Sequence, residues 1–202
     1  MEQLFLPRRE QYIHWVKRNL CAAVSCILLG LTTAAAFGEK TPATLGVEAT
    51  YGYVFSSNEL SPASPHGVLA SLYYGYVIKD SAKSSSLLSL AIGYGWFPTV
   101  SGGNALNGLV YGLEYEHVFF RQNRIALAVD YGLLFNLIFE GGREGYAFGH
   151  HTRLGAGPVF ALGEKDQLLV NVAYNMVTFP YFELASTRMS YLSLGLRYQR
   201  RI

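Results

Sequence analysis

The sequence predicts an all-β protein: an eight-stranded antiparallel transmembrane β-barrel with up-and-down connections, preceded by an N-terminal signal peptide. Three observations carry this expectation. Hydrophobic residues make up 50% of the 202 and charged residues only 15%. Beyond the first forty residues, no apolar run approaches the roughly 20 residues that a helix needs to cross a bilayer. Instead, apolar residues alternate with small or polar ones in eight successive stretches, the period-two signature of a strand with one apolar face.

Residues 1–38 read as the signal peptide and 39–202 as the barrel domain. The leader has a basic start (Arg8, Arg9, Lys17, Arg18), an apolar stretch from Leu20 to Leu31 and small residues before a cut after Ala36 or Gly38. It carries four of the 16 basic and two of the 14 acidic side chains, which leaves twelve of each in the barrel. The formal charge of +2 therefore belongs to the leader, and the barrel has no basic excess to attract nucleic acid. Cys21 and Cys26 also lie in the leader, so the barrel has neither a disulfide framework nor a thiolate metal site. A lipidated Cys26 is disfavoured by the apolar Ile27, Leu28 and Leu29, where a lipoprotein tether would be polar.

The first strand sets Leu45, Val47, Ala49, Tyr51, Tyr53 and Phe55 against Gly46, Glu48, Thr50 and Gly52. The second sets Val68, Leu72, Tyr74, Tyr76 and Ile78 against Gly67, Ser71, Gly75 and Lys79, and the third Leu88, Leu90, Ile92, Tyr94 and Trp96 against Ser89, Ala91, Gly93 and Gly95. The fourth opposes Leu109, Tyr111, Leu113, Tyr115 and Phe119 to Gly112, Glu114 and Glu116. The fifth opposes Leu127, Val129, Tyr131, Leu133, Phe135, Leu137 and Phe139 to Asp130, Gly132 and Asn136. The sixth, from Phe148 to Leu162, is the least regular: His151, Arg153, Gly155 and Gly157 share one face, and His150 and Pro158 fall on the apolar one. Leu168 to Met176 and Leu192 to Tyr198 complete the set. With the first strand rising, the inner turns are 80–86, 121–124 and 163–167, and the outer loops are 56–66, 99–107, 141–147 and 180–187.

A soluble β-sandwich also alternates, but here the apolar face is too large and too aromatic to pack inside one small barrel. Exposed to water, it would far exceed the few hundred Å² that a soluble monomer shows. Lipid explains the pattern, and it also requires the sheet to close, because an open edge would leave unpaired backbone groups in hydrocarbon. Aromatic residues near the strand ends fit interfacial belts: Phe55, Trp96, Phe139 and Phe148 at the outer rim, Tyr76, Phe119, Phe160 and Tyr198 at the inner.

On these strands, and on the final stretch Ser193 to Ile202, the chain resembles the small eight-stranded outer-membrane proteins of the OmpX, OmpA transmembrane-domain and OmpW types. Ser193, Gly195 and Tyr198 match the C-terminal insertion signal of that class, whereas Arg200 and Ile202 depart from it. The resemblance implies a bacterial outer-membrane location. It also implies outer-membrane lipid and the barrel assembly machinery as partners, with the outer loops presented to an extracellular ligand.

The interior of eight strands is only just wide enough for side chains to fill. The expected interior charges are Glu48, Glu114, Glu116, Asp130, Arg153 and Arg197, together with Lys79, Glu140 and His151, and Glu48 should pair with Arg197 across the closing seam. The expected role is structural or surface-interacting, with a largely filled polar core. The competing expectation is a narrow OmpW-like conduit for small hydrophobic solutes, with Pro158 and the glycines beside it marking either a lateral opening or a bulge. A lipid A-modifying enzyme of this shape would show a His-x-Ser pair with a carboxylate. This chain offers His150 and Thr152, with Glu144 and Glu183 in loops, so the sequence is read as non-enzymatic. No cofactor is expected, and no metal either, since adjacent His150 and His151 point to opposite faces of a strand.

Overall fold

A computed structural model describes residues 42–57, 65–97, 106–120, 124–140, 143–179 and 187–202; the expected signal peptide and most of the expected outer loops 56–66, 99–107 and 180–187 lie outside them. Eight strands follow in chain order: β1 (Ala43–Ser57), β2 (His66–Asp80), β3 (Ser84–Phe97), β4 (Leu106–Phe120), β5 (Arg124–Glu140), β6 (Arg143–Ala161), β7 (Asp166–Phe179) and β8 (Thr187–Arg201). Each pairs antiparallel with the next, and β8 returns to β1, so the sheet closes. The seam runs from Thr44 opposite Arg201 to Ser57 opposite Met189, with one irregularity between Val54 and Ser56.

Strand length follows from the bilayer. Even the shortest strands, of 14 residues, extend about 46 Å at about 3.3 Å per residue. A tilt of about 45° reduces the vertical reach to about 33 Å, close to a hydrocarbon core of about 30 Å.

The alternation read from the sequence separates lipid face from lumen. Leu72 and Leu154 are 61% and 60% exposed, while Glu114 and Arg197 are 0% exposed. This is the inverse of a soluble barrel: the apolar side chains form the outer band and the charges are buried. The chain is therefore a transmembrane barrel, and position along a strand sets the cost of a charge facing lipid. Leu72→Arg, at the middle of β2, is expected to cost about 2–4 kcal/mol, and Leu162→Arg, beside the inner turn, about 0–1 kcal/mol. Urea titrations in lipid vesicles read the difference; equal losses would mean that the apolar band does not sit in hydrocarbon.

Strand limits differ from expectation at several ends. The outer loop placed at 141–147 shrinks to residues 141–142, because β6 begins at Arg143 and pairs Glu144 with Phe139. The segment contains Gly145, and glycine does not prevent a backbone from joining the ladder. The first inner turn shortens as well: Ser81 N donates to Ser84 O at 2.9 Å, Ser84 N donates to Ser81 Oγ at 3.1 Å, and β3 starts at Ser84. Lys79, expected in the lumen, is exposed. The β2–β3 register shifts between Val77 and Lys79, so the alternation that predicted its direction no longer holds there.

The lumen is filled in tiers. Val54, Phe97, Leu134, Val177, Met189 and Tyr191 form an apolar cluster toward the outer end, and Val118, Ala126, Val159 and Leu169 form a second toward the inner end. Charged and polar side chains occupy the layer between them.

Candidate functional site

Alternation places Glu48 on β1, Tyr73 on β2, Glu114 and Glu116 on β4, Asp130 on β5, Arg153 on β6 and Arg197 on β8 with their side chains in the lumen. The register brings them to one height. Glu114 lies opposite Asp130, Asp130 opposite Arg153, and Glu48 opposite Arg197 across the seam. Small neighbours make room for the long side chains. A Cβ on Gly195 would stand 2.3 Å from Glu48 Oε1, so that carboxylate occupies space only glycine leaves open.

Two guanidiniums hold the layer together. Arg197 donates to Glu48 Oε2 from Nε at 2.9 Å and from Nη2 at 2.7 Å, to Glu114 Oε2 from Nη2 at 2.5 Å, and to Glu116 Oε2 from Nη1 at 3.1 Å. Its Nη1 also donates to Glu114 Oε1. Arg153 donates from Nη1 to Glu48 Oε1 at 2.8 Å and from Nη2 to Glu114 Oε2 at 2.6 Å and the Tyr73 hydroxyl at 3.1 Å, and its Nε lies against Asp130 Oδ2. The Tyr73 ring lies 3.7 Å from Arg197 Cζ, a desolvated cation–π contact. The pairing expected of Glu48 with Arg197 is present, but as one edge of a wider network.

The network carries more acid than base. Four carboxylates meet two guanidiniums, every one of them buried, and no donor among the described residues reaches Asp130 Oδ1. Above it, His151 Nε2 lies 3.1 Å from the Tyr191 hydroxyl and 3.2 Å from Asn175 Oδ1, and Asn175 donates to Ser193 Oγ at 2.8 Å. A void of about 20 Å³ beside Asp130 has room for one water. A larger cavity of about 250 Å³ lies at the inner end, lined by Glu116 and by residues of the inner turns.

The six interior charges named from the sequence thus meet in one cluster. Tyr73, which joins the same cluster, is not among the residues named from the sequence; its parity, shared with Ser71 and Gly75, is the signal that places it in the lumen. Of the belt residues, Phe55, Trp96, Tyr76, Phe119, Phe160 and Tyr198 face outward, and Tyr198 donates to Asp166 Oδ1 at 2.5 Å. The side chains of Phe139, Phe148 and Glu140 lie outside the described residues. His150 stacks on Tyr131, with Nδ1 2.8 Å from the hydroxyl. Among the described residues, no group of three His, Cys, Asp or Glu could hold a metal ion.

No protein-family model matches this chain, and no curated protein matches it. Among solved structures it is similar to Neisserial surface protein A, at 18% identity over 77% of this chain and 95% of that one, with a TM-score of 0.51. It is also similar to the outer membrane enzyme PagL, at 16% identity over 78% of this chain and 99% of that one, with a TM-score of 0.54. At these identities the likeness is one of fold, and the fold is that of the eight-stranded outer-membrane barrels.

Proposed function

We propose that this chain is an integral barrel of the bacterial outer membrane that acts through its structure and its loop surface, with a lumen plugged against general transport. The observation that carries this reading is the filled cross-section. The double-arginine layer spans the barrel from β1 and β8 to β4, β5 and β6, and an apolar cluster packs the lumen beyond it. Outer-membrane lipid meets the apolar band, the assembly machinery inserts the barrel, and the outer loops are the surface available to an extracellular ligand.

In planar bilayers the protein is expected to show no large steady conductance, because an eight-stranded interior filled by side chains leaves no continuous water path. Brief small events should change when Glu114, Glu116 or Arg153 is neutralised, and should not change when the outward Tyr111 or Leu113 is substituted. A large conductance indifferent to these charges would overturn the plugged reading.

A second reading, a narrow lateral conduit for small hydrophobic solutes, is favoured by one feature of the β6–β7 ladder. Pairing stops after Ala156 opposite Val172 and resumes at Val159 opposite Leu169, where Pro158 has no N–H to give. Beside the interruption, both polar side-chain atoms of Asn171 are buried without a hydrogen-bond partner among the described residues. Barrel-dependent uptake of such a solute into liposomes would favour this reading.

A further inference from the structure

The inner-end cavity has a floor and a rim of different electrostatic character. Around the rim, among the described residues, Asp80, Glu164 and Asp166 face Arg124, Lys165 and Arg201, three acids against three bases. Two of these acids are visibly engaged: Asp80 with Arg201 at 3.1 Å, and Asp166 with the Tyr198 hydroxyl and, at 3.8 Å, with Arg200. The rim is balanced. The floor is Glu116, only 2% exposed, four residues above the inner end of β4. Among the described residues it forms an ion pair with Arg197 Nη1 at 3.1 Å, and that same nitrogen donates to Glu114. Behind it lie Glu48 and Glu114, shared between Arg197 and Arg153, and then Asp130 on Arg153. The layer therefore sets four carboxyl groups against two guanidiniums, and Glu116 is the member of it that borders the inner-end cavity.

A buried carboxylate without full compensation is costly, and a cation entering the cavity would relieve that cost. The walls restrict which cation. The cavity, at about 250 Å³, far exceeds the roughly 10–15 Å³ that one water needs; its floor offers one carboxyl group where calcium takes six or more oxygens, and the rim acids Asp80 and Asp166 are already engaged. Val77, Leu87 and Val118 line the space between Glu116 and the rim, each buried. An apolar stem would rest against them while a charged head reached Glu116. Access is from the inner end, because the ion layer and the outer apolar cluster fill the lumen beyond.

We propose that this cavity is a binding site for a small organic cation, a primary alkylammonium whose charge pairs with Glu116 and whose stem lies on Val77, Leu87 and Val118. The site does not depend on whether the barrel conducts.

The test uses n-butylammonium chloride, titrated at neutral pH into the folded protein in a zwitterionic detergent, with amide chemical shifts as the readout. Saturable shifts are expected at Thr44, Glu116 and Gln199, with no comparable response to butan-1-ol over the same range. Glu116→Gln should weaken binding by about tenfold, equivalent to about 1.4 kcal/mol. Should that variant not fold, the comparison of amine with alcohol on the unaltered protein decides alone. Equal responses to amine and alcohol, the absence of saturation, or undiminished binding by a folded Glu116→Gln variant would each overturn the proposal; the first would mean that protons or Arg197 already neutralise Glu116, and the second would reveal detergent-like partitioning.

Discussion

Replacing Arg197 with methionine is expected to leave little or no folded barrel. The side chain is 0% exposed and donates to Glu48, Glu114 and Glu116 at once. Without it, the four buried carboxyl groups keep one guanidinium, Arg153, which pairs with Glu48, Glu114 and Asp130 and leaves Glu116 without its ion-pair partner. Breaking a buried ion pair from one side costs about 3–5 kcal/mol, because the survivor keeps its desolvation penalty and loses its partner. That is a large part of the roughly 5–15 kcal/mol by which folded proteins are stable. Combining Arg197→Met with Glu48→Gln should recover part of the loss, since one stranded carboxylate is then neutral; the coupling is expected at about 1–3 kcal/mol. The faster migration of unboiled folded barrel, followed across a urea series, measures both variants. Strict additivity would show that the two side chains do not stabilise the barrel as a pair.

The faces of the strands were legible in the sequence because a one-residue error would turn every lipid-facing side chain into the lumen, so the alternation is strongly specified. That logic fails where the register shifts, and Lys79 is the residue it misplaced. It also says which face a residue takes but not what the interior of a closed barrel must hold. Tyr73, Phe97 and Met189 are large side chains on the lumen side, used to fill a space that glycine and serine leave open. The Glu48–Arg197 pair could be anticipated because closure makes the first and last strands neighbours. The contact of Arg153 with Glu48, 105 residues apart, crosses the lumen and follows from no strand pairing. Reading it requires the barrel's diameter and the reach of each side chain. That four carboxyl groups face two guanidiniums can be counted from the sequence, but their meeting in one buried layer cannot.

Gly157→Ala should disrupt the barrel as strongly as loss of a core side chain, although alanine adds a single methyl. A Cβ at residue 157 would lie 1.6 Å from the Val170 carbonyl oxygen, 2.7 Å from its carbon and 3.1 Å from Asn171 Cα. All three are backbone atoms of β7, so no rotamer change relieves the overlap and the two strands must move apart. They would part where the ladder is already interrupted by Pro158, and β6 is held on its other side by an unbroken ladder to β5. A loss of about 3 kcal/mol or more is expected, at the upper end of overpacking effects. Gly95→Ala is the control: its nearest neighbour would be Leu69 Cδ1 at 3.4 Å, a flexible side-chain end in ordinary contact. That variant should fold with stability unchanged or raised by about 0.4–1 kcal/mol, through a less flexible unfolded chain. The same pair separates the plugged barrel from the lateral conduit. In a plugged barrel Gly157→Ala lowers the folded fraction and speeds amide exchange along β6 and β7, with no solute flux in the folded remainder. If instead Gly157→Ala folds as well as Gly95→Ala and passes hydrophobic solutes faster, the strands already separate at this point and the conduit reading takes the place of the plug.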